Sequence, residues 1–348
     1  MKLLLLGTGG MAHNHATAFK AMEEVEVVAC ADTNAEAAQA FAETYAIPSV
    51  YGSVDDAIIA GGFDAAANVT PDAAHFGTTL KLLEAGCHVF CEKPLATNQQ
   101  DAAEMAEAAD SAGLINGVNL IYRNVSALRK AQALIRGGAL GDIRHIEASY
   151  LQSWLTQPRW GDWKTEPTWL WRLSKRHGSH GVLGDVGIHV LDFATFAAGS
   201  DIRSITCQLK TFDKAPDNKI GEYALDANDS VSMTIELDNG ATGVVHASRF
   251  ASGHINDLSL KIFGTKGGLH VTNQGAVGTL KICVDDALSA AHWSDVAVEA
   301  SLTLYQQFAN AVRTGEMMQP DFAAAARLQG VIDGAVEADA IGRRILVG

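Results

Sequence analysis

The chain has 348 residues, enough for about two domains at roughly 150 residues each, which excludes a short disulfide-stapled scaffold. Its 26 Lys+Arg against 40 Asp+Glu give a formal charge of −14, which repels phosphate backbones and anionic membrane surfaces, so neither nucleic acid nor membrane is expected as a partner. With 48% hydrophobic and 19% charged residues, and no run near the ~18 apolar residues that span a bilayer, the composition is that of a folded protein outside the membrane.

Met1-Lys2 and the leucines at 3–6 open like a secretory leader, but the run breaks at Gly7 and no small-residue cleavage site follows. A cytoplasmic location is expected. The scattered Cys30, Cys87, Cys91, Cys207 and Cys283 agree, reading as free thiols. Apolar runs at 3–6, 25–31, 65–69, 88–91 and 115–118 alternate with helical stretches, the pattern of repeated βαβ units in a doubly wound parallel sheet. Thr70 reads as a helix cap with Pro71 at the first position and Gly86 past the end, and Thr97 with Gln100 has capping-box spacing. A helix at 126–136 follows, then a Trp-rich irregular segment, then alternating runs at 230–237 and 241–249 joined by Asp238-Asn239-Gly240, a hairpin turn. A second turn lies at 264–268, and a helix at 322–343 closes the chain. The second half therefore reads as an antiparallel or mixed sheet. Residues 1–121 form one domain and 122–348 another, whose last helix packs back toward the first.

Gly7-Thr8-Gly9-Gly10-Met11-Ala12 fits G-x-G-x-x-A between the first strand and a helix. Gly7 permits the turn, Gly9 the approach of a pyrophosphate to backbone, and Ala12 the close packing of helix on sheet. Asp32 ends the second strand, where a carboxylate binds ribose hydroxyls and repels a 2′-phosphate; Thr33 and Asn34 after it bring no positive charge. NAD is expected rather than NADP. His13 and His15 lack an accompanying Cys or carboxylate cluster and read as polar residues lining the nucleotide cleft, so no metal is expected.

Two further segments carry polar residues suited to chemistry: Cys91-Glu92-Lys93-Pro94 after a strand, and Gly184-Asp185-Val186-Gly187-Ile188-His189 opening a helix. Together with the nucleotide turn, Asn68-Val69-Thr70-Pro71-Asp72-Ala73-Ala74-His75 and Tyr122-Arg123, they make the chain resemble the glucose-fructose oxidoreductase and inositol dehydrogenase family (Gfo/Idh/MocA) over most of its length. The resemblance implies an N-terminal Rossmann domain and a C-terminal α/β domain for substrate binding and oligomerisation. The open sheet of that second domain would form a homodimer or homotetramer. It also implies a catalytic set that maps onto Lys93, Asp185 and His189. Independently, an imidazole suits removal of a hydroxyl proton at neutral pH, so His189 is the candidate acid/base. Asp185, one turn earlier, would orient it, and Lys93 would steady alkoxide charge. Thr70, Pro71, His75, Glu92 and Lys93 complete the candidate cofactor set, although the Glu92-Lys93-Pro94 turn reads equally as structural, its proline aiming Lys93.

Trp154, Trp160, Trp163, Trp169 and Trp171 crowd one segment. Indole faces suit the C–H faces of a sugar, so a carbohydrate or polyol is the expected substrate, with Trp154 and Trp163 as candidate contacts; packing of the cluster under itself is the open alternative. Arg172, Arg123 and His177 join Lys93, Asp185 and His189 as substrate candidates, and the local basic charge admits an anionic sugar. The expected activity is hydride transfer between a secondary alcohol of a sugar or inositol and NAD. A glycosidase that oxidises transiently and eliminates, and a non-catalytic NAD and sugar sensor, are the alternatives.

Overall fold

A computed structural model describes residues 1–273 and 277–347. In chain order the first elements are β1 (Lys2–Leu6), α1 (Gly10–Lys20), β2 (Glu26–Ala31), α2 (Ala35–Tyr45), β3 (Ser49–Tyr51), α3 (Val54–Ala60), β4 (Ala65–Asn68), α4 (Asp72–Glu84), β5 (His88–Cys91), α5 (Gln99–Ser111) and β6 (Asn116–Val118). Next come α6 (Ser126–Arg136), β7 (Ile143–Leu151), the one-turn α7 (Pro167–Leu170), α8 (Ile188–Ala198), β8 (Ile202–Lys210), β9 (Lys219–Ile220) and β10 (Tyr223–Ala224). The chain ends with β11 (Ser230–Leu237), β12 (Thr242–Ser248), β13 (Asp257–Gly264), β14 (Gly267–Thr272), β15 (Thr279–Val284), β16 (Ser294–Asp295), α9 (Leu304–Thr314), α10 (Phe322–Ile341) and β17 (Ile345–Leu346). Two compact units result: Met1–Ile121 with Leu302–Gln329, and Tyr122–Ser301 with Gly330–Gly348.

In the first unit, six parallel strands run in the order β3-β2-β1-β4-β5-β6. Leu3, Leu4 and Leu5 are wholly buried, as a parallel strand covered on both faces requires. The order reverses between β1 and β4, so the turns leaving those strands lie at the switch point where α/β sheets bind ligands. Phe19 of α1 and Phe90 of β5 meet Tyr305 and Phe308 of α9, with Phe19–Tyr305 centroids 5.2 Å and Phe90–Phe308 centroids 5.3 Å apart. Residues 302–329, read from sequence with the second domain, therefore belong to the first unit, because α9 fills its core.

Two cap assignments also shift. Pro71, not Thr70, is the N-cap of α4, since the Thr70 hydroxyl is spent on Asn68 Oδ1 at 2.7 Å. Asn98, not Thr97, caps α5, its Oδ1 accepting from Asp101 N at 2.9 Å. The three-residue β3 has no sequence signal of its own.

In the second unit a nine-stranded sheet runs β16-β15-β14-β13-β7-β12-β11-β8-β17. Its only parallel pair among the described strands is β7 with β12. β11 and β13 alternate buried and less buried residues, so one face of the sheet carries the core, and the apolar α8 packs on it against β7, β12 and β13. The expected hairpin joins β11 to β12 with Gly240 at φ +82°. No helix among the described residues is long and apolar enough to cross a membrane.

Candidate active site

Gly7 leaves β1 at φ +91°, and a Cβ there would lie 2.6 Å from the Val69 carbonyl oxygen, so only glycine passes this point. Gly9 is the N-cap of α1 without a side-chain cap, the first turn holds no acidic residue, and a Cβ at Gly9 or Gly10 would meet nothing within 4 Å. Backbone N–H groups at this helix start are thus open to a pyrophosphate. Ala12 is buried against the sheet and Met11 is exposed. Asp32 Oδ2 accepts from Thr8 N and Thr8 Oγ1, both at 2.8 Å, and Oδ1 accepts from Asn34 N at 2.8 Å. Burial alone would raise the Asp32 pKa, but these hydrogen bonds outweigh it and hold the carboxyl below its usual range. Asn34 Oδ1 caps α2 by accepting from Ala37 N at 3.1 Å, and Thr33 is exposed beside it. A glycine turn with open N–H groups and a fixed carboxylate fits NAD, and Gly7, Gly9, Gly10 and Asp32 are the residues that could hold it.

Lys93 is half-buried just past β5, and its neighbours anchor its backbone. Glu92 Oε2 accepts from Lys93 N at 3.1 Å, while Oε1 accepts from His15 Nε2 at 2.7 Å and Asn119 Nδ2 at 2.6 Å. Burial opposes the Glu92 charge, yet the His15 and Asn119 hydrogen bonds and the nearby Lys93 bring its pKa down to about 2. On the other side of Lys93, the buried His75 donates from Nδ1 to the Pro94 carbonyl and from Nε2 to the Thr70 carbonyl, each at 2.8 Å. Two carbonyl acceptors require hydrogen on both nitrogens. Burial would lower the His75 pKa, but Cys91, the Pro94 carbonyl and Asp72 outweigh it and raise it to about 9. His75 and Glu92, expected from sequence among the cofactor contacts, are both buried with hydrogen bonds inside the protein, and they brace the turn that carries Lys93, the structural role the Glu92-Lys93-Pro94 turn also admitted. His15, expected to line the cleft, is likewise wholly buried.

In the second unit, one π-type turn, Leu183–Gly187, opens α8 and carries Asp185; His189 follows on α8. Asn228 fixes the turn's start, accepting from Leu183 N through Oδ1 at 3.0 Å and from Val182 N through its carbonyl at 2.8 Å. Asp185 Oδ2 accepts from Arg249 Nη2 at 2.9 Å, and Arg172 Nη1 reaches Oδ1 at 3.3 Å. His189 is buried, its ring edge-on to Tyr122 with centroids 4.9 Å apart. Tyr122 and Tyr150 share a hydrogen bond between their hydroxyls, Tyr150 donates to Asn256 Oδ1 at 2.6 Å, and Gln152 Nε2 donates to the same oxygen at 2.7 Å. Burial pushes both tyrosine pKa values up, so both hydroxyls keep their protons. Sequence reasoning did not single out Arg249, Tyr150, Asn256 or Gln152 for the site.

Three of the substrate candidates are buried. Arg123 is buried, with Nε at 2.9 Å from Asp192 Oδ2 and its guanidinium 4.5 Å over the Phe196 ring, so it braces α8. Trp154 and Trp163 are buried in a small core with Leu155, Leu173 and Leu225, and Trp163 Nε1 donates to the Leu155 carbonyl at 3.2 Å. Within this segment the exposed indole is Trp171, with the Arg172 guanidinium 4.8 Å over it. His177 is half-buried against Tyr223 with Nδ1 2.9 Å from Ser174 Oγ. Among the described residues no group of three or more His, Cys, Asp or Glu could hold a metal.

A doubly wound sheet whose switch point carries a glycine turn and a ribose-type carboxylate defines an NAD-binding protein. The model of an oxidoreductase family with an NAD-binding Rossmann fold matches residues 1–120, and that of the GFO/IDH/MocA C-terminal domain matches residues 128–270. The chain is 30% identical over 249 residues to D-glucoside 3-dehydrogenase of Escherichia coli K12, covering 69% of this chain and 68% of that protein. It is 29% identical over 291 residues to levoglucosan dehydrogenase of Pseudarthrobacter phenanthrenivorans, covering 76% and 72%. A solved levoglucosan dehydrogenase in complex with NADH shares the fold, with TM-score 0.88 and 24% identity over 100% of this chain and 99% of that one. The chain belongs to the Gfo/Idh/MocA oxidoreductase family.

Proposed function

We propose that this NAD-dependent enzyme oxidises a secondary ring hydroxyl of a glucose-type sugar, at carbon 3, and that Lys93, Asp185 and His189 carry its proton chemistry. The observation that supports it most is the turn in which Arg249 pins Asp185 one helical step before a buried histidine. NAD, when bound, supplies the hydride acceptor. His189 takes the hydroxyl proton, Asp185 steadies the imidazolium so formed, and Lys93 donates to the substrate oxygen as negative charge develops. The names of the glucoside and levoglucosan dehydrogenases support a glucose-type ring, and the former supports carbon 3. Because the Arg172 guanidinium is already shared with Asp185, an uncharged sugar fits better than an acidic one. Assembly as a homodimer or homotetramer and a cytoplasmic location complete the reading, the latter supported by five free cysteines.

The purified protein is incubated with NAD and levoglucosan, methyl β-D-glucoside, glucose 6-phosphate or myo-inositol. NADH absorbance is followed, the product is located by NMR, and light scattering gives the assembly state. Accumulating NADH with a 3-keto product, abolished in His189→Ala, is the expected result. Cleavage of the glucoside without net NADH would replace this reading by a glycosidase, and NADH binding without turnover by a sensor.

A further inference from the structure

Arg249 follows the end of β12 and its side chain is 0% exposed, yet that side chain reaches three acceptors at once. Nη1 donates to the Arg172 carbonyl at 3.1 Å, and Nη2 to the Gly181 carbonyl at 3.4 Å and to Asp185 Oδ2 at 2.9 Å. The guanidinium also lies 5.0 Å over the buried Trp154 ring. Its own backbone N–H donates to the carbonyl of Asp229 at 3.0 Å. Asp229 in turn forms a 2.6 Å ion pair with Lys214, the two side chains being 0% and 1% exposed. Phe212 N adds a second donor to Asp229 Oδ2 at 2.9 Å.

Charge therefore alternates from the interior outward: Lys214, Asp229, Arg249, Asp185, Arg172. The first three members are sealed from solvent, while Asp185 and Arg172 are 26% and 33% exposed. Burying such groups is unfavourable one at a time and tolerable only when each is matched, so the members act as a unit. The exposed end of that unit is the Asp185–Arg172 pair, whose carboxylate lies in the turn before His189. A π-type turn, with its wider i→i+5 spacing, is a common feature of functional sites. Here Arg249 grips both the turn's carboxylate and the Gly181 carbonyl just upstream.

We propose that Arg249, locked by the buried Lys214–Asp229 pair, is a positioning residue that sets the Asp185 carboxylate, and through the shared turn His189, in the geometry turnover needs. This rests on the reading of Asp185 and His189 as catalytic. Lys at position 249 would keep the charge but has no planar fork to hold three acceptors together.

The test is a double-mutant cycle of Arg249→Lys and Asp185→Asn in the full chain, with NAD and levoglucosan or whichever glucoside of the panel is turned over. Unfolding temperature and NADH affinity are the controls. Each single variant is expected to lower kcat, about a hundredfold for a small misplacement, with NADH affinity within about twofold of wild type. The double variant is expected to lose no more than the more damaged single one, because both act through one carboxylate. Multiplying losses, or wild-type kcat in Arg249→Lys, would overturn the positioning role while leaving Asp185 catalytic. Wild-type kcat in Asp185→Asn would instead remove the catalytic reading, and this inference with it. Independently of turnover, the His189 ring resonance of histidine-labelled protein is expected to move in Arg249→Lys while that of His88 in the other unit stays; an unmoved His189 signal overturns the proposal. Should Arg249→Lys not fold, Asp229→Asn takes its place in the same cycle.

Discussion

At the scale of single residues, in the proposed reading the selectivity of the nucleotide turn lies in Asp32. The carboxylate is pre-set by Thr8 and Asn34 and repels any phosphate on the ribose it would bind. Asp32→Ser should raise the Kd for NADH about tenfold to a hundredfold, the worth of hydrogen bonds to a charged group, and narrow the gap to NADPH; fluorescence titration with both cofactors checks this. His75 makes a pH prediction. Its folded pKa is raised from the ordinary 6.5 to about 9, so its contribution is fully present below about pH 6.5 and disappears as pH rises through about 9. His75→Gln should therefore be less stable than wild type near pH 6, by on the order of 3 kcal/mol at most, and the two urea curves should converge near pH 10. A gap of equal size at both pH values would show that the ring is not held as a cation. The candidate residues the sequence offers are those in contiguous motifs, Gly7 to Ala12, Lys93, Asp185 and His189, whose roles belong to the proposed reading. Arg249 is not among them, because its partner Asp185 is 64 residues away and only the sheet brings them together. Trp154 and Trp163 lie in a small leucine-containing core, the packing alternative the sequence left open, because an indole offers the same face to a sugar and to leucines.

Among elements, α9 shows how local signals and tertiary burial combine. Thr303 and Gln306 form a full capping box at its start, and Gly315 at φ +76° ends it. Thr303→Ala should cost about 1 kcal/mol of unfolding free energy. Phe308→Ala, which empties a place among Phe19, Phe90 and Tyr305, should cost about 3–5 kcal/mol. Denaturant midpoints for the two variants test that ranking. The strands of the first unit were readable because a sheet buried on both faces writes itself as apolar runs. Helix starts were less so: Asn98 takes the cap that the Thr97 and Gln100 spacing offered, its Oδ1 accepting from Asp101 N at 2.9 Å. Three half-buried residues make β3, too few for any periodicity to register.

For the molecule as a whole, the division of the chain follows burial rather than sequence continuity. Residues 302–329 return to the first unit after the whole of 122–301, a connection no periodicity records. They do more than cover it. Asn116 Oδ1 accepts from Phe322 N at 2.7 Å, Val118 N donates to the Pro320 carbonyl at 3.0 Å, and Asn119 Nδ2 donates to the Tyr305 hydroxyl at 3.2 Å. The edge strand β6 thus has its free side satisfied by the returning segment, and Asn119, a partner of Glu92, is held by it as well. A fragment of residues 1–121 would expose Phe19 and Phe90 and leave those polar groups of β6 unpaired. It should stay largely unfolded and fail to bind NADH, although it contains the entire glycine turn and Asp32. Joining residues 302–329 to its end through a Gly/Ser linker of about a dozen residues, flexible enough not to dictate the path, should restore a cooperative unfolding transition and NADH affinity together. Circular dichroism and NADH fluorescence on the two polypeptides decide it: a 1–121 fragment that folds and binds NADH unaided would mean that α9 is an addition to the nucleotide unit rather than part of its core.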